Sequence, residues 1–229
     1  MGSATQIKNP LTELFLHCLP RATERALLAC SKLSLFSERG WYLAGGTALT
    51  LQVGHRQSVD LDFFTTNKNF DEVRIERALF NTGQWVTTYR QAGTIYGTFL
   101  KAKVSLIAYP FFKPTRRRLA YGNVKMLTPA DIAVMKILAI SQRGRKRDFI
   151  DLYWYCRSRE SLREVVRRAL QQFSGQENNV SHILKSLTYF ADAENDVAPK
   201  LFFKISWSEV KKFFEREVIT LGHGMLMSY

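Results

Sequence analysis

An aspartate pair on an alternating segment, shortly after a glycine pair, constrains this chain more than any other feature. Residues 41–64 read WYLAGGTALTLQVGHRQSVDLDFF. Trp41-Tyr42-Leu43-Ala44 reads as a short apolar strand, and Gly45-Gly46-Thr47 reads as the turn that ends it. Ala48 to Val53 can start a helix, and Ser58 to Phe64 reads as a second strand. Strand alternation puts Val59, Leu61 and Phe63 on one face and Asp60 and Asp62 on the other. Two like charges side by side cost stability unless something neutralises them. A hard divalent cation with oxygen ligands, Mg2+ or Mn2+, meets that need. The glycines let backbone N–H groups approach an anion, and a helix starting there adds its dipole. Metal on one side and phosphates on the other describe a nucleoside triphosphate (NTP) site.

Gly46-Thr47, the twelve residues Ala48 to Val59, then Asp60-Leu61-Asp62 resemble the signature of the DNA polymerase β-like nucleotidyltransferase superfamily. The longer string GGTALTLQVGHRQSVDLDFF is similar to the AbiEii/AbiGii toxin family, which includes nucleotidyltransferase toxins of toxin–antitoxin and phage-abortive-infection systems. A second segment, KILAISQRGRKRDFIDLYWY at 136–155, resembles the same family. The resemblance implies an α+β fold: a polymerase β-like core of mixed sheet and flanking helices, then a C-terminal helical domain. A boundary near Tyr121 divides the chain into 1–121 and 122–229. The resemblance further implies Asp60 and Asp62 as metal ligands and catalytic residues. Lys136 is the triphosphate contact, with Arg143, Lys146, Asp148 and Asp151 as further site residues. Gly45, Gly46, Thr47 and Arg56 are expected at the nucleotide, with His55 the weaker candidate beside them. Where the superfamily draws a third carboxylate from a neighbouring strand, this chain has Ser105.

Asp148 and Asp151 also have a structural reading, Asp148 as a helix cap and Asp151 as the i,i+4 partner of Arg147. Ser105 reads equally as a tolerated strand residue. Three functional classes follow. The first is a transferase moving a nucleoside monophosphate from an NTP to an acceptor hydroxyl on RNA, a tRNA 3′ end for instance, or on protein. The second is a catalytically impaired NTP- or RNA-binding module of the same fold. The third is a toxin-system component acting through contact with its antitoxin.

Charge narrows the partners. The net charge of +13 makes the surface attractive to polyanions, nucleic acid first. An acidic protein or an anionic membrane face comes second, and the run Arg116-Arg117-Arg118 is a candidate RNA contact. No apolar run approaches a membrane span, and no secretion signal opens the chain. Cys18, Cys30 and Cys156 have no metal-type spacing and read as buried thiols of the cytoplasm.

Elsewhere the pattern predicts helices over 9–35 (broken at Pro20), 71–80, 128–143, 148–157, 162–173, 180–190 and 208–218. Strands are expected over 84–91, 94–102 and 103–109, loops at 175–179 and 191–200. Trp207, Phe213 and Phe214 read as core.

Overall fold

The computed structural model describes residues 14–38, 40–115, 118–173 and 180–226. At its centre is strand β1 (Trp41–Ala44), buried at every position. Such an unbroken apolar run is what a strand covered on both faces requires. β1 runs antiparallel to β2 (Leu61–Thr65), with Ala44 opposite Asp62. β2 runs parallel to β5 (Ala102–Ala108), with Asp62 opposite Ser105. β3 (Trp85–Gln91) and β4 (Thr94–Phe99) extend that side as a meander. β6 (Leu119–Tyr121) and β7 (Val124–Met126) extend the other. The order is β3-β4-β5-β2-β1-β7-β6, so the sheet continues past Tyr121.

Helix α1 spans Arg21–Cys30, and a short 3-10 turn over Ser34–Ser37 replaces the helical continuation expected to Leu35. Helix α2 (Gly45–Val53) starts at the glycine pair itself, three residues before the expected start. Gly45 takes φ +67° there, a left-handed value that turns the strand straight into the helix without a separate loop. Helix α3 (Glu72–Phe80) is capped by Asp71, which accepts from Arg74 N at 2.9 Å.

The β4–β5 connection departs from expectation. Leu100 and Lys101 both have positive φ, 51° and 70°, and form a two-residue hairpin turn. Neither is a residue type that announces such a turn, so the sequence reads as strand through both and the expected break falls after Ala102. Val59 also departs. It lies before β2 and is exposed, whereas Leu61 and Phe63 are completely buried.

The helical region surrounds α4 (Pro129–Arg143), which is buried along most of its length. Thr128 caps it and Gly144, at φ +49°, ends it. Helix α5 follows at once (Lys146–Ser158), two residues earlier than expected, with Arg145 at the N-cap position and Asp196 Oδ2 accepting from Lys146 N at 3.0 Å, so Asp148 sits inside the first turn. Then come α6 (Leu162–Gln172), α7 (Val180–Leu187), the single turn α8 (Ala191–Glu194) and α9 (Trp207–Leu226). α9 opens with a reciprocal cap: Glu209 Oε2 accepts from Ser206 N at 2.8 Å, and Glu209 N donates to Ser206 Oγ at 3.2 Å. Phe213 and Phe214 are core, Phe214 packed on Phe149 and Phe213 on Tyr153, while Trp207 is half-buried. The stretch after α8 returns to the front of the molecule. Gln57 N donates to Lys200 O at 2.8 Å and Phe202 N to His55 O at 2.9 Å, clasping the loop between α2 and β2. Arg116, Arg117 and the loop expected at 175–179 lie outside the described residues. Arg118 lies over the Tyr42 ring at 4.9 Å.

Candidate active site

Asp62 projects from the middle of the sheet, and the Ser105 hydroxyl hydrogen-bonds it from the adjacent parallel strand. Burial pushes the Asp62 carboxyl up from its ordinary value; the Ser105 hydrogen bond opposes this and the nearby Asp60 charge adds to it. Asp60 precedes β2 and is tied down from below. The Thr47 hydroxyl donates to the Asp60 backbone carbonyl and shares a 2.9 Å hydrogen bond with Ser58 Oγ. Thr47 is therefore buried and fixes the backbone beneath the carboxylate pair. Arg147 Nη1 stands 3.5 Å from Asp60 Oδ2.

Two carboxylates and a hydroxyl form a set of hard oxygen donors that suits Mg2+ or Mn2+. A cation there would also relieve the repulsion that raises Asp62. Gly45 leaves the space open: a Cβ on it would stand 3.1 Å from Asp62 Oδ2. Among the described residues there is no group of three or more His, Cys, Asp or Glu placed to hold a metal. The carboxylate set is a pair, with serine at the third position.

Gly46 answers to a different neighbour. A Cβ on it would lie 2.1 Å from Arg56 Nη2. Arg56 is only 3% exposed and makes a two-pronged contact with Asp151, Nε to Oδ1 at 2.6 Å and Nη2 to Oδ2 at 2.8 Å. His55 Nε2 reaches Asp151 Oδ1 at 2.7 Å. Burial pulls the His55 pKa down against the pull of Asp151, so the ring is neutral and donates that hydrogen bond. Gly46→Ala should therefore push the Arg56 guanidinium off its carboxylate. The expected cost is about 1–3 kcal/mol, read as a lowered Tm on thermal denaturation.

Lys136, in mid-α4, completes the network. Its Nζ lies 2.5 Å from Asp148 Oδ1 and 2.6 Å from Asp151 Oδ2. Arg143 Nε stands 3.5 Å from Asp148 Oδ2. Asp151 therefore pairs with Arg56 and Lys136, not with Arg147 one turn away, and Arg147 turns to Asp60. This network fastens α4 and α5 to the loop that carries the aspartates.

Above it lies a cleft of about 670 Å3. Gly45, Asp60, Asp62 and Ser105 line it, as do the cations Lys136, Arg143 and Arg147 with their partner Asp148, and Tyr96, Thr98 and Lys103 form its sheet wall. The cleft thus gathers six of the residues expected from sequence at the metal or nucleotide: Gly45, Asp60, Asp62, Lys136, Arg143 and Asp148. Gly46, Thr47, Arg56 and Asp151 lie in the supporting layer. Lys146 points elsewhere, its Nζ donating to the backbone carbonyls of Glu194 at 3.1 Å and Asp196 at 2.7 Å. Reading from sequence missed Tyr96, Thr98 and Lys103. The signal was available for Lys103, which alternation places on the Ser105 face of β5. A second concavity, about 530 Å3, lies beyond Arg143 and Arg147 and is lined by Arg145 and Lys200.

The fold and this site define a nucleotidyltransferase-type protein. MenT4, a nucleotidyltransferase toxin from Mycobacterium tuberculosis, superposes over 87% of this chain and 86% of its own at TM-score 0.55 and 15% identity, which establishes the shared fold. A protein of Aquifex aeolicus, itself uncharacterised, is 35% identical over 185 residues, 78% of this chain and 86% of the relative. The model of the nucleotidyl transferase AbiEii toxin family, of type IV toxin–antitoxin systems, matches residues 26–87 and 106–220, and the chain belongs to that family. No described helix is long and apolar enough to cross a membrane.

Proposed function

We propose that this protein is a Mg2+-dependent nucleotidyltransferase that moves a nucleoside monophosphate from an NTP to an acceptor hydroxyl, RNA being the favoured acceptor. The observation that carries the reading is that Asp60 and Asp62 line one cleft together with Lys136, Arg143 and Arg147. Asp60 and Asp62 hold the metal, with Ser105 steadying Asp62. Mg2+, when bound, neutralises phosphate charge and polarises the phosphorus that is attacked. Arg143 and Arg147, whose side chains are 57% and 47% exposed, turn from their long contacts toward the β- and γ-phosphates. The Lys136 ammonium has three donors; two are held by Asp148 and Asp151, and the third serves the triphosphate. The acceptor hydroxyl gives up its proton to water and forms a bond to the α-phosphorus while the bond to pyrophosphate breaks. The net charge of +13 supports a polyanionic acceptor, and family membership supports an antitoxin as protein partner.

The experiment is label transfer. Each α-labelled NTP is incubated with the protein, Mg2+ and total RNA, beside an RNA-free reaction and an Asp62→Asn control. A labelled RNA band that disappears in the variant supports the reading. A labelled protein band without RNA would point to self-modification. Ser105 is the observation that favours the alternative, an NTP- or RNA-binding module without catalysis. No transfer with any NTP, together with salt-dependent RNA binding, would select it. If the transferase reading holds, Ser105→Ala should lower kcat by about tenfold to a hundredfold, by removing a hydrogen bond to a charged group worth roughly 1.5–3 kcal/mol.

A further inference from the structure

The sheet carries a feature that the transfer reaction, as described, does not use. Four residues stand in lateral register on one face: Asp62 on β2, Ser105 on β5, Tyr96 on β4 and Tyr89 on β3. With strands about 4.8 Å apart, Tyr96 lies about 10 Å from Asp62. The two tyrosine rings stack on each other at 5.6 Å with planes 28° apart. They are nevertheless open, Tyr96 at 40% and Tyr89 at 46% exposure. The Tyr89 hydroxyl donates to Gln91 Oε1 at 2.5 Å. The neighbouring row adds Lys103 opposite Thr98, and both line the cleft. On the reverse face of the same strands Trp85, Ile95 and Phe99 supply the buried packing, so the tyrosines are not needed as core.

Tyr96 lies two strands from Asp62, across Ser105, on the wall of the same cleft. In phosphoryl transfer the attacking hydroxyl must reach that cleft in line with the leaving oxygen, and the base that carries the hydroxyl comes with it. We infer that Tyr96, backed by Tyr89, is a stacking platform for an unpaired base at the 3′ end of a single-stranded RNA acceptor, with Lys103 beside its backbone. This deepens and rests on the transferase reading. The chemistry fits: every base has a π-face, an exposed aromatic on an open sheet is how single strands are held, and the surface is basic. A cross-strand tyrosine pair also stabilises a hairpin, which accounts for the contact between the rings but not for their place on the Asp62 row.

The test uses the full chain and a short 5′-fluorescein-labelled single-stranded oligoribonucleotide, with its blunt duplex as competitor, read by fluorescence anisotropy. Tyr96→Ala should weaken single-strand binding by about fivefold to a hundredfold, and Tyr96→Phe by less than about twofold, because the ring is kept. Both effects should persist in the Asp62→Asn background, where no transfer occurs. The duplex should compete poorly. In steady-state transfer Tyr96→Ala should raise the KM for RNA and leave the KM for NTP unchanged.

Unaltered single-strand affinity in a folded Tyr96→Ala protein would overturn the inference. So would equal affinity for single strand and duplex, which would mean charge alone holds the RNA. A rise confined to the NTP KM would assign the ring to the incoming base instead. Loss of binding to purified antitoxin, with RNA binding intact, would make this a protein-contact face. Failure of label transfer by the wild type would remove the transferase reading, while the anisotropy comparison would still decide the platform.

Discussion

Asp62→Asn is expected to remove nucleotidyl transfer while making the metal-free protein slightly more stable. The carboxyl sits beside Asp60 in a partly buried strand position, where burial and the second charge both disfavour its ionised form. At neutral pH that ionisation opposes folding. A neutral amide of the same shape relieves it, and Tm in chelator-treated buffer should rise by a few degrees, about 1 kcal/mol. Function moves the other way. Losing a charged oxygen ligand removes several kcal/mol of transition-state stabilisation, and the rate should fall by about three orders of magnitude. Mg2+ separates the two effects. At a hundred times its Kd the ion should stabilise the wild type by about 2.7 kcal/mol and leave the variant unmoved. Equal Mg2+ shifts in both proteins would mean that the cation binds elsewhere. A variant that loses activity and stability together would mean that Asp62 serves packing.

What the sequence makes legible, and what it hides, divides along the range of the interactions. The alternation at Leu61, Asp62 and Phe63 and the Thr128-Pro129 helix start are local, and each is realised in place, while the glycine pair marks the strand end but is taken into the helix. The position of Ser105 beside Asp62 is legible through the family pattern, which draws the third group from a neighbouring strand, and the parallel register of β2 and β5 puts the two residues opposite each other. The residues behind the site are another matter. Asp151 has a basic residue one turn away in Arg147, and local rules pair them; the fold instead brings Arg56 from 95 positions upstream. Lys146 stands in a basic run beside the site, yet the return of the chain after α8 captures its ammonium. Gly46 looks like a phosphate-loop glycine and is also the gap through which the Arg56 guanidinium passes. Tyr89 and Tyr96 are invisible as a pair until the β3–β4 register is known. For Asp151 and Lys146 the deciding partner is distant in sequence, so periodicity and spacing carry no trace of it; the tyrosine pair is close in sequence, but the register shift between Thr87 and Tyr89 hides it.

Asp151→Asn should be the most destabilising single change at this site. Asp151 is completely buried, and so is almost all of Arg56. Burial alone would raise the carboxyl's pKa, but Arg56 and Lys136, with the hydrogen bonds from Arg56 and His55, hold it well below the usual range. The amide keeps the shape and drops the charge, leaving two cations facing a neutral group in a space closed to water. Breaking a buried pair in this way costs about 3–5 kcal/mol, and for a chain of this size Tm should fall by about 10 °C or more. The pH dependence has a definite sign. The unfolded chain takes up a proton at its ordinary carboxylate value, about 3.9, before the folded one does. Asp151 therefore contributes its full stabilisation above that value and loses it as pH falls further toward the folded pKa. The difference in stability between wild type and variant should be constant from neutral pH down to about 5 and shrink below about 4. A double-mutant cycle with Arg56→Met tests the pairing itself, because removing both partners leaves no uncompensated charge. The pair of substitutions should cost less than the sum of the two single changes. Simple additivity would mean that Lys136 alone holds Asp151, and that the clasp between the aspartate loop and α5 does not run through Arg56.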